Sequence, residues 1–316
     1  MAITYLESIV VGALQGVSEL FPVSSLGHSI LLPALIGGQW ATDLDMSAKD
    51  SPYLAILVAM HVATALALVV FFRRDWMRIL GGLWDVARTR RIRTPEAQLG
   101  VLLVLATIPV GLAGLALEKV VRNYLGTPIP TSIFLALNGF VLLGSELLRS
   151  RAGNREPVLT PTGRAVDPAA QDTAVLPVAD PARASDLRLS RIGIKDALII
   201  GSAQIAALFP GVSRSGSTMV AGLFKGMRHE DAARFAFLLA TPVILAAGAL
   251  KTPELLKPQN HAVLGPALAG SVAAGVLAYI SVKFLVRYFE TRTLTPFAIY
   301  CLVAGLGSLA FLTVRG

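Results

Sequence analysis

Residues 14–28 read Leu14-Gln15-Gly16-Val17-Ser18-Glu19-Leu20-Phe21-Pro22-Val23-Ser24-Ser25-Leu26-Gly27-His28. They lie in an apolar run that extends over residues 3–37 and is broken at Phe21-Pro22-Val23-Ser24-Ser25-Leu26-Gly27-His28. Proline, glycine and hydroxyl residues end one helix here and start another. A second apolar run, 194–226, is broken in the same manner at Phe209-Pro210-Gly211-Val212-Ser213-Arg214-Ser215-Gly216. Irregular backbone of this kind is tolerated at membrane depth only where protein or water covers it. Both runs therefore read as re-entrant hairpins of two short helices.

The composition supplies the membrane. Of 316 residues, 54% are hydrophobic and only 15% are charged. Mean hydropathy is +0.65, whereas soluble domains carry about a quarter charged residues. An ordinary cytosolic enzyme and a disordered chain are both excluded. The single cysteine, Cys301, rules out an intrachain disulfide and a cysteine metal cluster. Four histidines leave little room for a histidine-rich zinc site. The excess of 28 Lys+Arg over 20 Asp+Glu lies in loops between apolar runs, without interleaved aromatics. It reads as topogenic charge, not as a nucleic-acid surface. The N-terminus lacks a basic region and does not read as a cleavable signal peptide.

Six further stretches are long enough to span a bilayer, near 53–72, 99–117, 131–149, 232–250, 262–283 and 295–313. The loop after the first carries Arg73, Arg74, Arg78, Arg88, Arg90, Arg91 and Arg93, and 150–191 carries six more arginines. Segments 38–52 and 118–130 are poor in Lys and Arg. The first pair is thereby cytoplasmic and the second pair external. Counting crossings sends the first hairpin in from outside and the second from the cytoplasm. Each hairpin is followed by three spans, so the halves have opposite topology. The expected fold is an all-α polytopic membrane protein with six transmembrane helices and two re-entrant helical hairpins in two inverted repeats. The first repeat covers 1–149 (hairpin 3–37) and the second 192–316 (hairpin 194–226). Residues 150–191, rich in Pro, Ala, Asp and Arg, read as a flexible cytoplasmic linker. Repeats of this kind bring broken helices together around a polar site near the midplane.

The residues at the breaks point to phosphate chemistry. Gln15 and Glu19 share one helical face. An ionisable group in an apolar run is expensive and usually functional, and carboxylate and amide oxygens suit Mg²⁺ or Ca²⁺. Ser24 and Ser25 begin a helix, where one caps it and the other is free to attack phosphorus. Helix N-termini also suit phosphate. His28, on the next turn, is either a structural donor or a proton carrier. Arg214 is the most informative residue, because a buried guanidinium needs an anion and its fork matches phosphate. Ser213, Ser215 and Thr218 surround it. His61, Asn138 and Gln204 read as residues that satisfy contacts between helices. Together these residues suggest a metal held by Glu19 and Gln15, Arg214 on the terminal phosphate of a lipid diphosphate, and in-line attack by Ser25 or a water.

The stretch 14–28 resembles the first signature of the undecaprenyl-diphosphate phosphatase family of the bacitracin-resistance type. Pro210-Gly211-Val212-Ser213-Arg214-Ser215-Gly216-Ser217-Thr218 resembles its second. The resemblance covers the chain apart from 150–190. It implies a multi-pass phosphatase of the bacterial plasma (inner) membrane that converts undecaprenyl diphosphate to the monophosphate. That reaction recycles the carrier lipid for cell-wall synthesis and underlies bacitracin resistance. It also implies a divalent cation at Glu19 with Gln15, a nucleophile at Ser25 beside Ser24, a histidine at His28, and phosphate binding by Ser213, Arg214 and Thr218. A homodimer and an outward-facing site belong to the same expectation. Three positions depart from the family pattern: Gln15 is an amide, Leu26 replaces a common threonine, and the linker has no counterpart. A transporter or flippase of polyprenyl phosphate lipids using the same site is the alternative reading. It would need neither the serine nor the metal. A membrane phosphatase of the phosphatidic-acid type is set aside, because no histidine-aspartate pair follows at suitable spacing.

Overall fold

The computed structural model describes residues 3–46, 52–151, 181–255 and 258–315; side chains of 118–124, 181–183, 252–255 and 258–260 are not described. Every regular element among them is helical. The chain opens with α1 (Tyr5–Ser18), which Thr4 caps through a reciprocal bond pair with Glu7. After the first break come α2 (Ser25–Ile36) and the short α3 (Gly38–Asp43). Then follow α4 (Pro52–Phe71), the charged α5 (Arg73–Thr89), α6 (Pro95–Leu125), α7 (Pro128–Arg151) and α8 (Pro181–Ser190). Next, α9 (Ile194–Ala203) tightens into a 3-10 turn, Gln204–Leu208, before the second break. Beyond it lie α10 (Arg214–Phe224), α11 (His229–Leu255), α12 (Leu264–Tyr288) and α13 (Thr295–Arg315).

Six of these helices are long and apolar enough to cross a membrane: α4, α6, α7, α11, α12 with the 3-10 turn before it, and α13. They coincide with the six expected spans to within a few residues. All-round hydrophobicity is the reason, since α4 has a mean hydropathy of 2.6 and still buries only 39% of its span window against protein.

The two halves interdigitate. α1 packs on α12, α4 on both α11 and α12, α6 on α9, and α7 on α13. Small residues permit this. A Cβ on Gly12 would meet the backbone of Gly270 at 2.7 Å, and one on Gly201 would meet Ala106 at 2.7 Å. Membrane helices associate through such close backbone approach, because lipid supplies no hydrophobic drive between them.

Of the expected linker, residues 152–180 lie outside the described residues, but its last part is ordered helix. α8 is held by charge. Asp186, only 1% exposed, accepts from Arg234 at 2.6 Å and from Arg78 at 3.1 Å. Arg188 and Ser185 bind Asp231 at 2.6 and 2.7 Å. The proline and alanine content of the linker hid this helix, because its anchoring is ionic and leaves no apolar period to read.

Candidate active site

Both helix breaks end at one place. Ser24 caps α2 by accepting from Gly27 N at 3.2 Å, and the same hydroxyl accepts from Gly211 N of the other break at 3.2 Å. Its φ of 68° lies in the left-handed region, which costs a serine about 1–3 kcal/mol. The backbone therefore holds this strain to aim the hydroxyl across. Gly211 sits at φ 104° and a Cβ there would strike Leu135 N at 2.7 Å, so only glycine fits. Asn138 of α7 completes the joint. Its Nδ2 donates to Pro22 O at 3.1 Å, and its Oδ1 accepts from Ser213 N at 3.1 Å.

At the junction Arg214 Nη2 lies 2.8 Å from Glu19 Oε1. Glu19 ends α1 and Arg214 begins α10, and both are largely buried. The other carboxylate oxygen, Oε2, gathers three groups. Gln15 Nε2 is at 3.1 Å, His61 Nε2 is at 3.3 Å, and Ser25 Oγ donates to it. A buried charge pair persists only when its remaining valences are met. Here one is not met, since Arg214 Nη1 is buried with no partner. Gln15 Oε1 and Gln204 Oε1 are likewise unpartnered.

These groups floor a cavity of about 290 Å³. Glu19, Ser24, Ser25, Ser213 and Arg214 line it, with His61 of α4 and Gln204 beside them. Its walls are apolar: Val58, Val110, Val243 and Ile244. The cavity extends along α11 to Ala247, Gly248 and Lys251, away from the arginine-rich end of the bundle. The larger cavity, about 560 Å³, lies at that opposite end between Glu146, Arg149 and His229. None of the expected site residues lines it.

The structure thus brings together Gln15, Glu19, Ser24, Ser25, Ser213 and Arg214. It sets three expected residues apart. His28 turns away: Nδ1 bonds Ser24 O at 2.7 Å, Nε2 meets the Tyr300 hydroxyl at 2.6 Å, and the ring stacks on Tyr300. The helical turn after Ser24 carries it to the side facing α13, so it does not line the cavity, and its hydrogen bonds go to neither Ser25 nor Glu19. Ser215 is spent on Phe21 O and Ser213 Oγ at 3.3 and 3.1 Å. Thr218 donates back to Arg214 O at 2.9 Å. Both hold the break together without lining the cavity.

Two residues read as helix glue turn out to matter more. His61 reaches the central carboxylate, and Asn138 ties one break to the other. The signal for His61 was present in the sequence, since an ionisable side chain amid an apolar span is the same anomaly that singled out Glu19.

Fold and site define a polytopic membrane protein with an interior polar centre, where Arg214 meets Glu19, built from two helix breaks. Residues 8–307 match the family described as bacitracin resistance protein BacA, and the chain belongs to that family. It is 56% identical to an undecaprenyl-diphosphatase of Mycolicibacterium paratuberculosis, covering 99% of both chains. It is 50% identical to undecaprenyl-diphosphatase 1 of Frankia casuarinae, covering 96% of both. With six apolar spans it is a multi-pass protein of the bacterial plasma membrane.

Proposed function

We propose that the chain hydrolyses undecaprenyl diphosphate to undecaprenyl phosphate and inorganic phosphate, recycling the carrier lipid for cell-wall synthesis and conferring bacitracin resistance. The observation that carries this reading is the buried Arg214 Nη1 without a protein partner, in a cavity shared with Ser25 and Glu19. A guanidinium half committed to a carboxylate and half vacant is built for an incoming phosphate. The apolar walls suit a lipid chain. Relatives named undecaprenyl-diphosphatase support the substrate.

Ser25 opens α2, where unpaired N–H groups and the helix dipole favour phosphate. Its hydroxyl already donates to Glu19, which serves as base. The Ser25 oxygen bonds to the terminal phosphorus, its proton passes to Glu19, and the P–O bond to the lipid monophosphate breaks. Water then releases phosphate from the serine. In the variant without a phosphoserine, Glu19 instead orients a water for the same displacement. Arg214 and the amides at the start of α10 hold the transferring group. His28 positions Ser24 through the backbone and does not move the proton.

A divalent cation, Mg²⁺ or Ca²⁺, would fit the donor set with the Gln15 amide turned over: Glu19 Oε2 is a hard oxygen donor, and Gln15, whose Nε2 faces it at 3.1 Å, carries an unpartnered Oε1. No group of three His, Cys, Asp or Glu stands together among the described residues, so phosphate oxygens and waters would complete the shell. The cation would neutralise charge on the diphosphate.

Re-entrant hairpins and inverted repeats remain part of this reading. Their support is the exchange of roles in the packing: α1 lies on α12 as α9 lies on α6. An outward-opening site is supported by the course of the cavity towards Lys251. A homodimer rests on the family resemblance alone. The transporter reading is not favoured, since carriage alone would need no serine on a carboxylate.

The full chain in nanodiscs is expected to release phosphate from undecaprenyl diphosphate, and EDTA is expected to stop it. Lipid movement across the bilayer without phosphate release would overturn the assignment.

A further inference from the structure

We infer that α5 is an interfacial helix that binds anionic phospholipids of the leaflet at the arginine-rich end of the bundle. None of the residues around Glu19 and Arg214 takes part.

The chain turns from α4 into α5 at a single residue, Phe72, so α5 starts where a membrane span ends. Its inner side is taken. Gly82 packs so closely on α6 that a Cβ there would meet the backbone of Ala97 at 2.7 Å. Ile79 and Leu83 close on Gly100 of the same helix. Asp75 meets Arg234 of α11 at 3.0 Å, and Arg78 meets Asp186 of α8 at 3.1 Å.

The outer side is apolar and exposed. Met77, Leu80 and Trp84 are 66%, 58% and 73% exposed. Steps of three and four residues put them on one helical face. Further steps of four place Arg73 before Met77 and Arg88 after Trp84 on that same face, and both arginines are exposed. Such a stripe suits the boundary between headgroups and acyl chains. The apolar side chains enter the acyl region, while the guanidinium groups stay with the phosphates. Leu66 and Val70 on the span α4 are exposed too, and Arg73 Nη1 reaches back to Val70 O at 3.4 Å. The stripe on α5 thus follows directly on the lipid-facing side of a span.

Charge names the lipid. Arg74, Arg90, Arg91 and Arg93 are exposed as well. Among the described residues no acid pairs with any of these six arginines, and the buried Asp75 is committed to Arg78 and Arg234. A basic cluster on an amphipathic helix beside a span attracts anionic headgroups. Topogenic charge needs only a number of arginines on one side. It does not account for arginines set in line with an apolar stripe.

The test uses the full chain in phosphatidylcholine nanodiscs that carry a minor share of brominated phosphatidylglycerol or the same share of brominated phosphatidylcholine. Fluorescence is read in the parent and in Trp84→Phe, and the difference isolates Trp84 from Trp40 and Trp76. Quenching of Trp84 is expected to be at least about twofold stronger with the brominated anionic lipid. Combined Arg73→Gln, Arg74→Gln and Arg88→Gln is expected to abolish that preference and to keep quenching by brominated phosphatidylcholine. In the parent the preference is expected to shrink at about 1 M NaCl, where the screening length falls to about 3 Å. The salt arm needs no arginine substitution, so it decides the matter even if the triple variant does not fold. Equal quenching of the parent by both lipids, or a preference that survives high salt, overturns the proposal. A Trp84 that neither lipid quenches overturns it too, whether water or a second copy of the chain covers the face.

Discussion

Arg214 and Glu19, 195 positions apart in sequence, meet at 2.8 Å inside the bundle. Each ends or begins a helix at a break, so the contact forms only when both interrupted segments are correctly seated. Breaking a buried pair by removing one partner costs about 3–5 kcal/mol. The pair is therefore at once the keystone of the two breaks and the start of the proposed anion site.

Arg214→Lys keeps the charge but loses the fork, and with it the vacant Nη1. A point charge cannot hold Glu19 and a phosphate together. A drop of about 10²-fold or more in kcat/KM is expected, equal to roughly 3 kcal/mol of lost transition-state binding. Steady-state phosphate release measures it.

Asn138→Leu removes both bonds that tie Pro22 O to Ser213 N. Each buried backbone group left unsatisfied costs about 1–3 kcal/mol. The variant is expected to melt earlier in detergent and to lose turnover, although Asn138 does not line the cavity. Asn138→Asp keeps the acceptor for Ser213 N and is expected to fall between the two. Thermal unfolding read beside phosphate release checks both.

Ser24 and Ser25 are expected to fail differently. Ser24→Ala loses a cap and the bond to Gly211 N, and lowers stability by about 1–2 kcal/mol. Ser25→Ala leaves the cap intact and removes only the hydroxyl on Glu19, so stability holds while kcat collapses if serine attacks. A Ser25→Ala enzyme of near-normal rate assigns the attack to water. Calorimetry combined with kcat separates the two serines.

His28→Gln is expected to cost less than about tenfold in kcat, below the 10²–10⁴ that a general acid or base contributes. Its partners are Ser24 O and the Tyr300 hydroxyl, and His28 itself does not line the cavity. The pH profile of kcat/KM is expected to keep its shape, and a missing limb would return His28 to proton transfer.

Asp186→Asn weakens the hold of α8 on Arg234 and Arg78. Hydrogen exchange over 181–190 is expected to rise, with a fall in melting temperature and little change in kcat. Unchanged exchange would mean that these ion pairs do not anchor the helix.

Much of the fold was legible because lipid solvation writes itself in runs of apolar residues. Helices α4, α6, α7, α11, α12 and α13 needed only length and hydropathy. Gln15, Glu19, Ser25 and Arg214 were legible as polar residues where polarity is expensive. Less legible was anything decided by direction. His28 follows Ser25 by three residues, yet one helical turn carries its ring to the face of Tyr300. Ser215 and Thr218 share a segment with Arg214 but spend their hydroxyls on backbone. Conversely His61 and Asn138 lie in separate spans, and nothing local marks the one as reaching Glu19 or the other as tying Pro22 to Ser213. Helix α8 escaped because ionic anchors carry no period.

The most direct measurement is hydrolysis of undecaprenyl diphosphate by Glu19→Gln, a change that keeps the size of the side chain and its capacity to bond Arg214. Phosphate release by the folded variant is expected to fall by about 10³-fold, since removing the charge takes away the base and leaves Arg214 hydrogen-bonded but no longer ion-paired. A folded Glu19→Gln protein that turns over within twofold of the parent would contradict a catalytic centre at the meeting of the two breaks.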